Sequence, residues 1–340
     1  MSASAGPEAP PGSRLVKCGV VLPCGGPGAW DAGMVESPAL WWDVQHGRYG
    51  MVYTGYAHIR PDQRGYGAVA DPQIGLAWSD DLLHWERDPH APLLGASRRP
   101  GTPDEYGATG PFLWHEDGRY FLFYFGVTAR GYERGRKTLN LAISDDLRHW
   151  ERHAGNPIIE PAGSGWRRDA IWHPHIVKVD GLYYLFFNAS GVHGGREEEF
   201  IGYATSPDLT SWSVDDDHSP LVAGSGVPGA WDSTGRAGDP SLYQRGDHWY
   251  MAYYSWDGLH SRDGIAITSA SAFPLGWTPW SGNPVLDIGE PESYDALHAG
   301  KPFILETARR HYHFYTAVDR NERREIALAL WPGPCEGSFP

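Results

Sequence analysis

Several acidic residues of this sequence stand beside prolines in short segments of similar composition. Glu36 lies in Glu-Ser-Pro, Asp239 lies in Gly-Asp-Pro, and Asp169 lies five residues before Pro174 in RRDAIWHP. Carboxyl groups at such positions can give or take protons in catalysis. Indole, imidazole and cationic side chains accompany them at Arg168, Trp172, His173, Arg236, His298 and Lys301. This set suits a polyhydroxylated ring, whose C–H face lies on an aromatic side chain and whose hydroxyls bond to polar groups.

A repeat indicates the elements that position these residues. SDDLLHWE begins at Ser79, SDDLRHWE begins at Ser144, and a looser copy, SPDLTSW, begins at Ser206. Each copy closes a longer unit made of a segment with proline, an aromatic strand and a strand of small residues. Asp-Gly pairs in HEDGRY and KVDGLY predict hairpins between the first two strands of a unit. The five segments with proline are VESPALWW, ATGPFLWH, IWHPHIVKV, AGDPSLYQ and AGKPFILE.

Five strand–hairpin–strand units of this length predict an all-β fold, a five-bladed β-propeller. The fifth unit stops at Leu330 without an outer strand, and the apolar segment from Arg14 to Leu22 has no unit of its own. We expect this N-terminal strand to complete the fifth blade and close the ring, which removes exposed sheet edges. Residues 1–13 are expected to form a disordered lead-in, and residues 14–340 a single catalytic propeller domain.

The innermost strand of each blade lines the central channel of a propeller, and the segments with proline are the expected innermost strands. The residues just before each proline should therefore converge on the axis, within a funnel of carboxylates, histidines and cations. The SxDLxxW copies are expected to cap turns in the outer part of the blades through side-chain hydrogen bonds. Asp31, Asp232 and Asp295 recur at one position of the unit, which favours an architectural role.

Charge and composition exclude several classes of function. The net charge of −14 argues against a nucleic-acid or anionic-membrane partner, which would need a basic patch. No segment has the apolar core of a secretory signal or the length of a membrane span, so a cytoplasmic protein is expected. Three cysteines without metal-ligand spacing predict neither a disulfide framework nor a metal site. No cofactor is indicated, although such a funnel could hold Ca²⁺ on oxygen ligands. The oligomeric state is left open.

The five units, with ESP, GDP, WRRDAIWHP and SxDLxxW, resemble the five-bladed propeller glycosidases of glycoside hydrolase families 32, 43, 62, 117 and 130. The resemblance implies a hydrolase that acts on O-glycosyl bonds of a small or modified saccharide, with furanosyl sugars among the candidates. In family 43 an Asp before proline is the base, a second Asp tunes a pKa, and a Glu in Glu-Gly-Pro is the acid. Here the Glu is in the first unit and the Asp-Pro is in the fourth, the reverse of that family's order.

The resemblance implies Glu36 as acid, Asp239 as base and Asp169 as a pKa tuner or sugar clamp. Carboxyls that face each other across the channel would suit an inverting mechanism. Substrate contacts are expected from His173, Arg236, His298, Lys301, Trp172 and Arg168. Two alternatives stay open: a glycoside phosphorylase that binds phosphate through such cations as Arg167, Arg168, Arg236 and Lys301, and a sugar-binding or biosynthetic propeller that does not hydrolyse its ligand.

Overall fold

The computed structural model describes residues 15–58, 71–132, 135–307 and 310–331. Residues 1–13, predicted to be a disordered lead-in, lie outside the described residues, as does Cys335. The chain folds into five four-stranded antiparallel sheets arranged in a ring, as the repeat predicts. The proline strands of neighbouring blades contact one another around this ring, and they are the innermost strands. Among the described residues, no helix has the length and hydropathy needed to cross a membrane.

The first two blades follow each other directly along the chain. Blade one contains β2 (Met34–Asp43), β3 (Arg48–Tyr56), β4 (Gln73–Ser79) and β5 (Glu86–Arg87). Blade two contains β6 (Gly107–Glu116), β7 (Arg119–Val127), β8 (Lys137–Ser144) and β9 (Glu151–Arg152).

The third and fourth blades have the same strand order, and a short 3-10 helix, Gly165–Arg167, precedes the third. Blade three contains β10 (Ala170–Val179), β11 (Leu182–His193), β12 (Arg196–Ser206) and β13 (Ser213–Val214). Blade four contains β14 (Gly238–Arg245), β15 (His248–Trp256), β16 (Ser261–Ser269) and β17 (Thr278–Pro279).

The fifth blade joins the two ends of the chain. It contains β18 (His298–Glu306), β19 (His311–Val318) and β20 (Arg324–Trp331), with β1 (Val16–Leu22) as its outer strand. β1 pairs antiparallel with β20, and Lys17 forms a 2.6 Å salt bridge to Asp295. The predicted ring closure is confirmed. Cys18 of β1 is disulfide-bonded, and Cys24, which follows β1, is a free cysteine.

The SxDLxxW segments are turns at the outer ends of blades one, two and three. In the second copy the Asp146 carboxylate accepts hydrogen bonds from the backbone N–H groups of Arg148 and His149, at 2.9 and 2.8 Å. The Trp150 indole N–H donates to the carbonyl of Leu147, which is buried. The same contacts recur in the other two copies. These segments therefore stabilise the blades, in agreement with their predicted structural role.

Candidate active site

A cavity of about 280 Å³ opens at one end of the ring, above the innermost strands of blades three, four and five. Its lining combines carboxylates, cations, imidazoles and hydroxyls with the aromatic side chains of two tryptophans and two tyrosines. The lining residues are Tyr132, Trp172, His173, Asn188, Glu199, Arg236, Asp239, Tyr254, Trp256, Ser261, His298, Gly300, Lys301, Thr316, Val318 and Arg324. Six of the nine candidate site residues from the sequence line this cavity: Trp172, His173, Arg236, Asp239, His298 and Lys301.

A β-bulge in each inner strand forms the floor of the cavity. In every inner strand the pairing register slips at the residue before proline, and that residue has a positive φ of 39° to 57°. Such slips are β-bulges, which re-aim a side chain near a site. The five residues concerned are Ser37, Gly110, His173, Asp239 and Lys301. They converge around the axis, as predicted, and with their prolines leave only about 30 Å³ of free space below the cavity.

Asp239 and His173 form the closest contact of this floor. Nδ1 of His173 lies 2.5 Å from Oδ1 of Asp239, an ion-pair distance, although the angles are not those of a hydrogen bond. Nε2 of His173 lies 3.3 Å from the Ser37 hydroxyl. The Asp239 side chain is 6% exposed, toward the cavity. Asp239 is therefore a nearly buried carboxylate with an imidazole at its side and open space above it.

A second carboxylate, Glu199, lines the same cavity from β12. Its Oε2 accepts a 2.5 Å hydrogen bond from the Tyr254 hydroxyl and a 3.2 Å bond from the Asn188 amide. Burial, followed by the negative charges of Glu199 and Asp239, raises the pKa of Tyr254 well above its usual value. Tyr254 thus stays a neutral donor, and it lies close enough to both carboxylates to sense their charges.

Arg236 links Glu199 to its neighbour in the chain. The guanidinium lies 3.2 Å from Glu198 and 3.6 Å from Glu199, and its plane covers the Trp256 ring at 4.9 Å. Because Glu198 and Glu199 both lie beside Arg236, this part of the cavity wall carries more negative than positive charge. Arg236 is positioned to hold both Glu199 and an aromatic wall of the cavity.

Glu36 lies below the cavity wall and is fully buried. Its Oε2 accepts hydrogen bonds from Arg324 at 3.0 Å and from the Tyr132 hydroxyl at 2.9 Å, and Lys301 is 3.4 Å away. Its Oε1 has no hydrogen-bond partner among the described residues. Arg324, Tyr132 and Lys301 all line the cavity, so they stand between Glu36 and a bound ligand.

His298 is a neutral hydrogen-bonding group on the cavity wall. Burial, aided by the positive charge of Arg324, lowers its pKa to about 4. Its Nδ1 accepts the backbone N–H of Ser261 at 3.1 Å, so the neutral ring carries its proton on Nε2. That N–H is a donor for a ligand hydroxyl. On the opposite wall, Trp172 is covered by the Lys137 ammonium at 5.0 Å from its centroid.

Asp169 and Arg168 lie outside the cavity lining. They precede β10 and pair with each other through two 2.8 Å hydrogen bonds, and Arg168 also bonds to Glu197. Asp169 is 46% exposed on its side chain. The structure therefore does not bring this carboxylate into the cavity with Asp239, and it places the pair just before the innermost strand of blade three.

The recurring acids Asp31, Asp232 and Asp295 make structural contacts, and Asp104 is placed like two of them. Asp232 accepts hydrogen bonds from the backbone N–H and the hydroxyl of Ser225. Asp31, Asp104 and Asp295 are buried, and each accepts a 3.0 Å hydrogen bond from a tyrosine hydroxyl of the second strand of its blade. Trp30 and Trp166 pack on Tyr53 and Phe187 inside the blades.

The cavity residues that the sequence did not indicate lie on second and third strands. Asn188, Tyr254 and Thr316 pair with Trp172, Gly238 and Gly300, the residues two before each proline. Counting across each hairpin from these inner residues could have identified them. Glu199 gives no such signal, since its position on β12 does not recur as an acid. Among the described residues, no group of three or more His, Cys, Asp or Glu side chains is placed to hold a metal ion.

Comparison with known proteins finds that this chain is similar to glycoside hydrolases. A family model, the glycosyl hydrolases family 32 N-terminal domain, matches residues 66–231, just under half of the chain. A structure described as a glycoside hydrolase superposes with a TM-score of 0.74 at 21% identity, covering 96% of this chain and 95% of that chain. This chain resembles the five-bladed propeller glycosidases.

Two curated relatives of this propeller group have different activities in their names. The probable arabinan endo-1,5-alpha-L-arabinosidase C of Aspergillus flavus is 28% identical over 178 residues, which are 50% of each chain. The 1,2-beta-oligomannan phosphorylase of a Thermoanaerobacter species is 26% identical over 230 residues, 67% of this chain and 66% of the phosphorylase. The chain thus spans about half the length of the arabinosidase that it matches.

Proposed function

We propose that this protein is a glycoside hydrolase whose cavity holds one sugar residue of a small saccharide. The observation that carries the proposal is that two carboxylates from neighbouring blades, Asp239 and Glu199, line one cavity and both act electrostatically on Tyr254. Hydrolysis of a glycosidic bond requires two carboxyl groups, one that protonates the leaving oxygen and one that activates water or attacks carbon.

The proposed roles follow from the surroundings of each carboxylate. Asp239 is the base, because His173 stands beside its Oδ1 and supports the charged form. Glu199 is the acid, the second carboxyl that lines the same cavity, and the Tyr254 hydroxyl and Arg236 hold it in place. Water rather than Asp239 attacks carbon in this scheme, so the anomeric configuration inverts.

Glu36 and Asp169, the other acids expected from the sequence, have less direct positions. Glu36 is fully buried behind Arg324 and Lys301, so we propose that it fixes these cations for the substrate. Asp169 is outside the cavity lining, and its ion pair holds Arg168 just before the innermost strand of blade three. In this scheme both act on the site through other residues.

The substrate class follows from the size and lining of the cavity. A volume of about 280 Å³ lies at the lower end of small-molecule sites, which suits a single ring rather than a chain of sugars. Trp172 and Trp256 offer flat faces, and the His298 imidazole and Ser261 hydroxyl can bond to ring hydroxyls. The name of the arabinosidase relative favours a furanosyl substrate, and we propose an arabinofuranosyl or similar small residue at the end of a saccharide.

A phosphorylase is the second candidate, because the oligomannan phosphorylase matches two thirds of the chain and three cations line the cavity. Phosphate would need at least some of these cations. Lys301 and Arg324 already pair with Glu36, and Arg236 pairs with Glu198 and Glu199. Because Glu36 and Glu198 already pair with these cations, hydrolysis is the preferred reaction.

The deciding experiment is a screen with aryl glycosides of arabinose, xylose, galactose, fructose and mannose, with and without inorganic phosphate. We expect phosphate-independent release of the aryl group from a furanoside, and loss of release in Asp239→Asn and Glu199→Gln. Strict dependence on phosphate would establish the phosphorylase instead. Sugar binding without turnover over days would favour a non-hydrolytic propeller, and a fully active Asp239→Asn would overturn the assigned base.

A further inference from the structure

The floor of the cavity contains a continuous row of polar groups that ends at Asp239. The row runs from Lys301 to the Ser37 hydroxyl at 3.5 Å, from Ser37 to Nε2 of His173 at 3.3 Å, and from Nδ1 of His173 to Asp239 at 2.5 Å. All four residues are the ones before the inner prolines, so they come from four different blades and one recurring bulge.

The chemistry of these groups is consistent with one direction for their protons. The ammonium of Lys301 is a donor only, so the Ser37 oxygen accepts from it, which leaves the Ser37 O–H to donate to Nε2 of His173. A neutral imidazole that accepts at Nε2 carries its proton on Nδ1, the atom nearest Asp239. Ser37 is fixed for this purpose, since its backbone N–H donates to the Thr316 hydroxyl at 3.0 Å.

We propose that His173 is a positioning residue for Asp239, with its tautomer set by Ser37 and Lys301. This inference rests on the proposed function, in which Asp239 is the base. The imidazole holds Oδ1 through its Nδ1–H, which keeps the carboxylate charged and leaves Oδ2 for the attacking water. The misaligned angle at Oδ1 fits this role, because catalytic hydrogen bonds often tighten only when substrate is bound.

The other groups that face Asp239 do not replace this contact. Burial first, and the charge of Asp239 second, raise the pKa of Asp263 on β16 well above its usual value. Tyr254 on β15 is also kept neutral, and its hydroxyl donates to Glu199. Lys301 on β18 lines the same floor but contacts Ser37 and Glu36. His173, whose Nδ1 lies 2.5 Å from Oδ1 of Asp239, is placed to stabilise a negative charge on this carboxylate.

Two substitutions of His173 separate positioning from mere packing. His173→Ala removes the donor, and we expect kcat/KM to fall about 10- to 100-fold, as when supporting partners of site residues are removed. The acidic limb of the pH–rate profile should also move to higher pH, since the charged base loses its hydrogen bond. His173→Asn keeps an N–H near Nδ1 and tolerates positive φ, so it should recover most of the activity and the original limb.

A merely structural role would give equal losses in both variants and an unshifted limb, which would overturn the proposal. The matched control is His248→Asn. His248 is an exposed histidine at the first position of β15, six residues before Tyr254 on the same strand. This variant should behave as wild type.

A measurement without turnover keeps the inference separable from the proposed function. Long-range ¹H–¹⁵N spectra, with the His173 signals identified by their absence in His173→Asn, should show the proton on Nδ1 in wild type. Ser37→Ala should weaken that preference. A proton on Nε2 in wild type refutes the role of His173 even if the enzyme is active. An Asp239→Asn variant with full activity refutes the assigned base, whatever the tautomer.

Discussion

The Tyr254 hydroxyl donates a 2.5 Å hydrogen bond to Oε2 of Glu199, and so connects the second strand of blade four to the third strand of blade three. The bond fixes one oxygen of Glu199 and leaves the other, Oε1, beside Arg236. Because burial and two negative charges raise the pKa of Tyr254, the phenol remains a donor throughout the neutral range.

We therefore expect Glu199→Gln to lower kcat by about 100- to 10,000-fold, the contribution of a general acid or base. Tyr254→Phe should lower kcat about 10- to 100-fold, since one hydrogen bond to a charged or reacting carboxyl is lost. Steady-state kinetics on an aryl furanoside measures both effects. Tyr250→Phe, on the same strand but stacked on Tyr243, is the control and should retain wild-type kinetics. Full activity in Glu199→Gln would exclude it as the acid.

Glu36 gives a prediction about stability as well as activity. Glu36→Gln removes the buried carboxylate that pairs with Arg324 and Lys301, and breaking such a buried cluster costs about 3–5 kcal/mol. Urea unfolding measures this loss. Glu160→Gln, which breaks the exposed pair with Arg136, should change the free energy of unfolding by less than about 1 kcal/mol.

The kinetics of the same variant decide the role of Glu36. Folded Glu36→Gln should retain measurable turnover, whereas Glu199→Gln should not. If instead Glu36→Gln is stable and inactive, Glu36 is the acid that its resemblance to Glu-Gly-Pro implies, and Glu199 takes a supporting role.

The sequence predicts the blades and the floor of the site because both repeat. Ser79 and Ser144 fix the register of two blades, and counting from them leads to the prolines whose preceding residues, such as His173 and Asp239, meet at the axis. The fold follows for the same reason, down to the closing strand β1.

The walls of the site could not be predicted in the same way, because they depend on contacts between distant blades. Glu36 accepts a hydrogen bond from Arg324, which lies 288 residues later in the chain, and no local sequence pattern predicts that contact. Asp169 lies in a segment that resembles a catalytic motif, but it pairs with Arg168 just before β10 and lies outside the cavity lining. Glu199 stands outside the repeating positions altogether.

A substitution in the outer turn SDDLRHWE should lower stability and leave activity unchanged. Asp146→Ala removes a carboxylate that accepts two backbone N–H groups, and a lost cap of this kind costs about 1 kcal/mol. Activity at 25 °C should not change, because the turn is far from the cavity. The adjacent Asp145→Ala, whose side chain is 80% exposed, is the matched control and should leave the unfolding midpoint unchanged. A loss of turnover in Asp146→Ala, with stability intact, would contradict a purely structural turn.

The buried imidazole of His175 predicts how stability depends on pH. Burial lowers its pKa to about 3, while the unfolded chain has an ordinary histidine value near 6.5. Below about pH 6.5, His175 therefore binds a proton in the unfolded state but stays neutral in the folded state, so stability falls as the pH falls. Between pH 7 and 4 this one residue should cost about 3 kcal/mol. His298, whose pKa is lowered to about 4, adds a loss of the same sign.

His175→Gln isolates the contribution of the imidazole. The ring accepts the backbone N–H of Leu242 at Nε2, and the Gln carbonyl oxygen can accept it as well, but Gln cannot take up a proton. Urea unfolding at pH 7 and pH 4 should show a smaller acid-induced loss in His175→Gln than in wild type. The exposed His248→Gln should show the wild-type loss. An acid loss in His175→Gln equal to that of wild type would mean that His175 titrates normally and that acid sensitivity arises elsewhere.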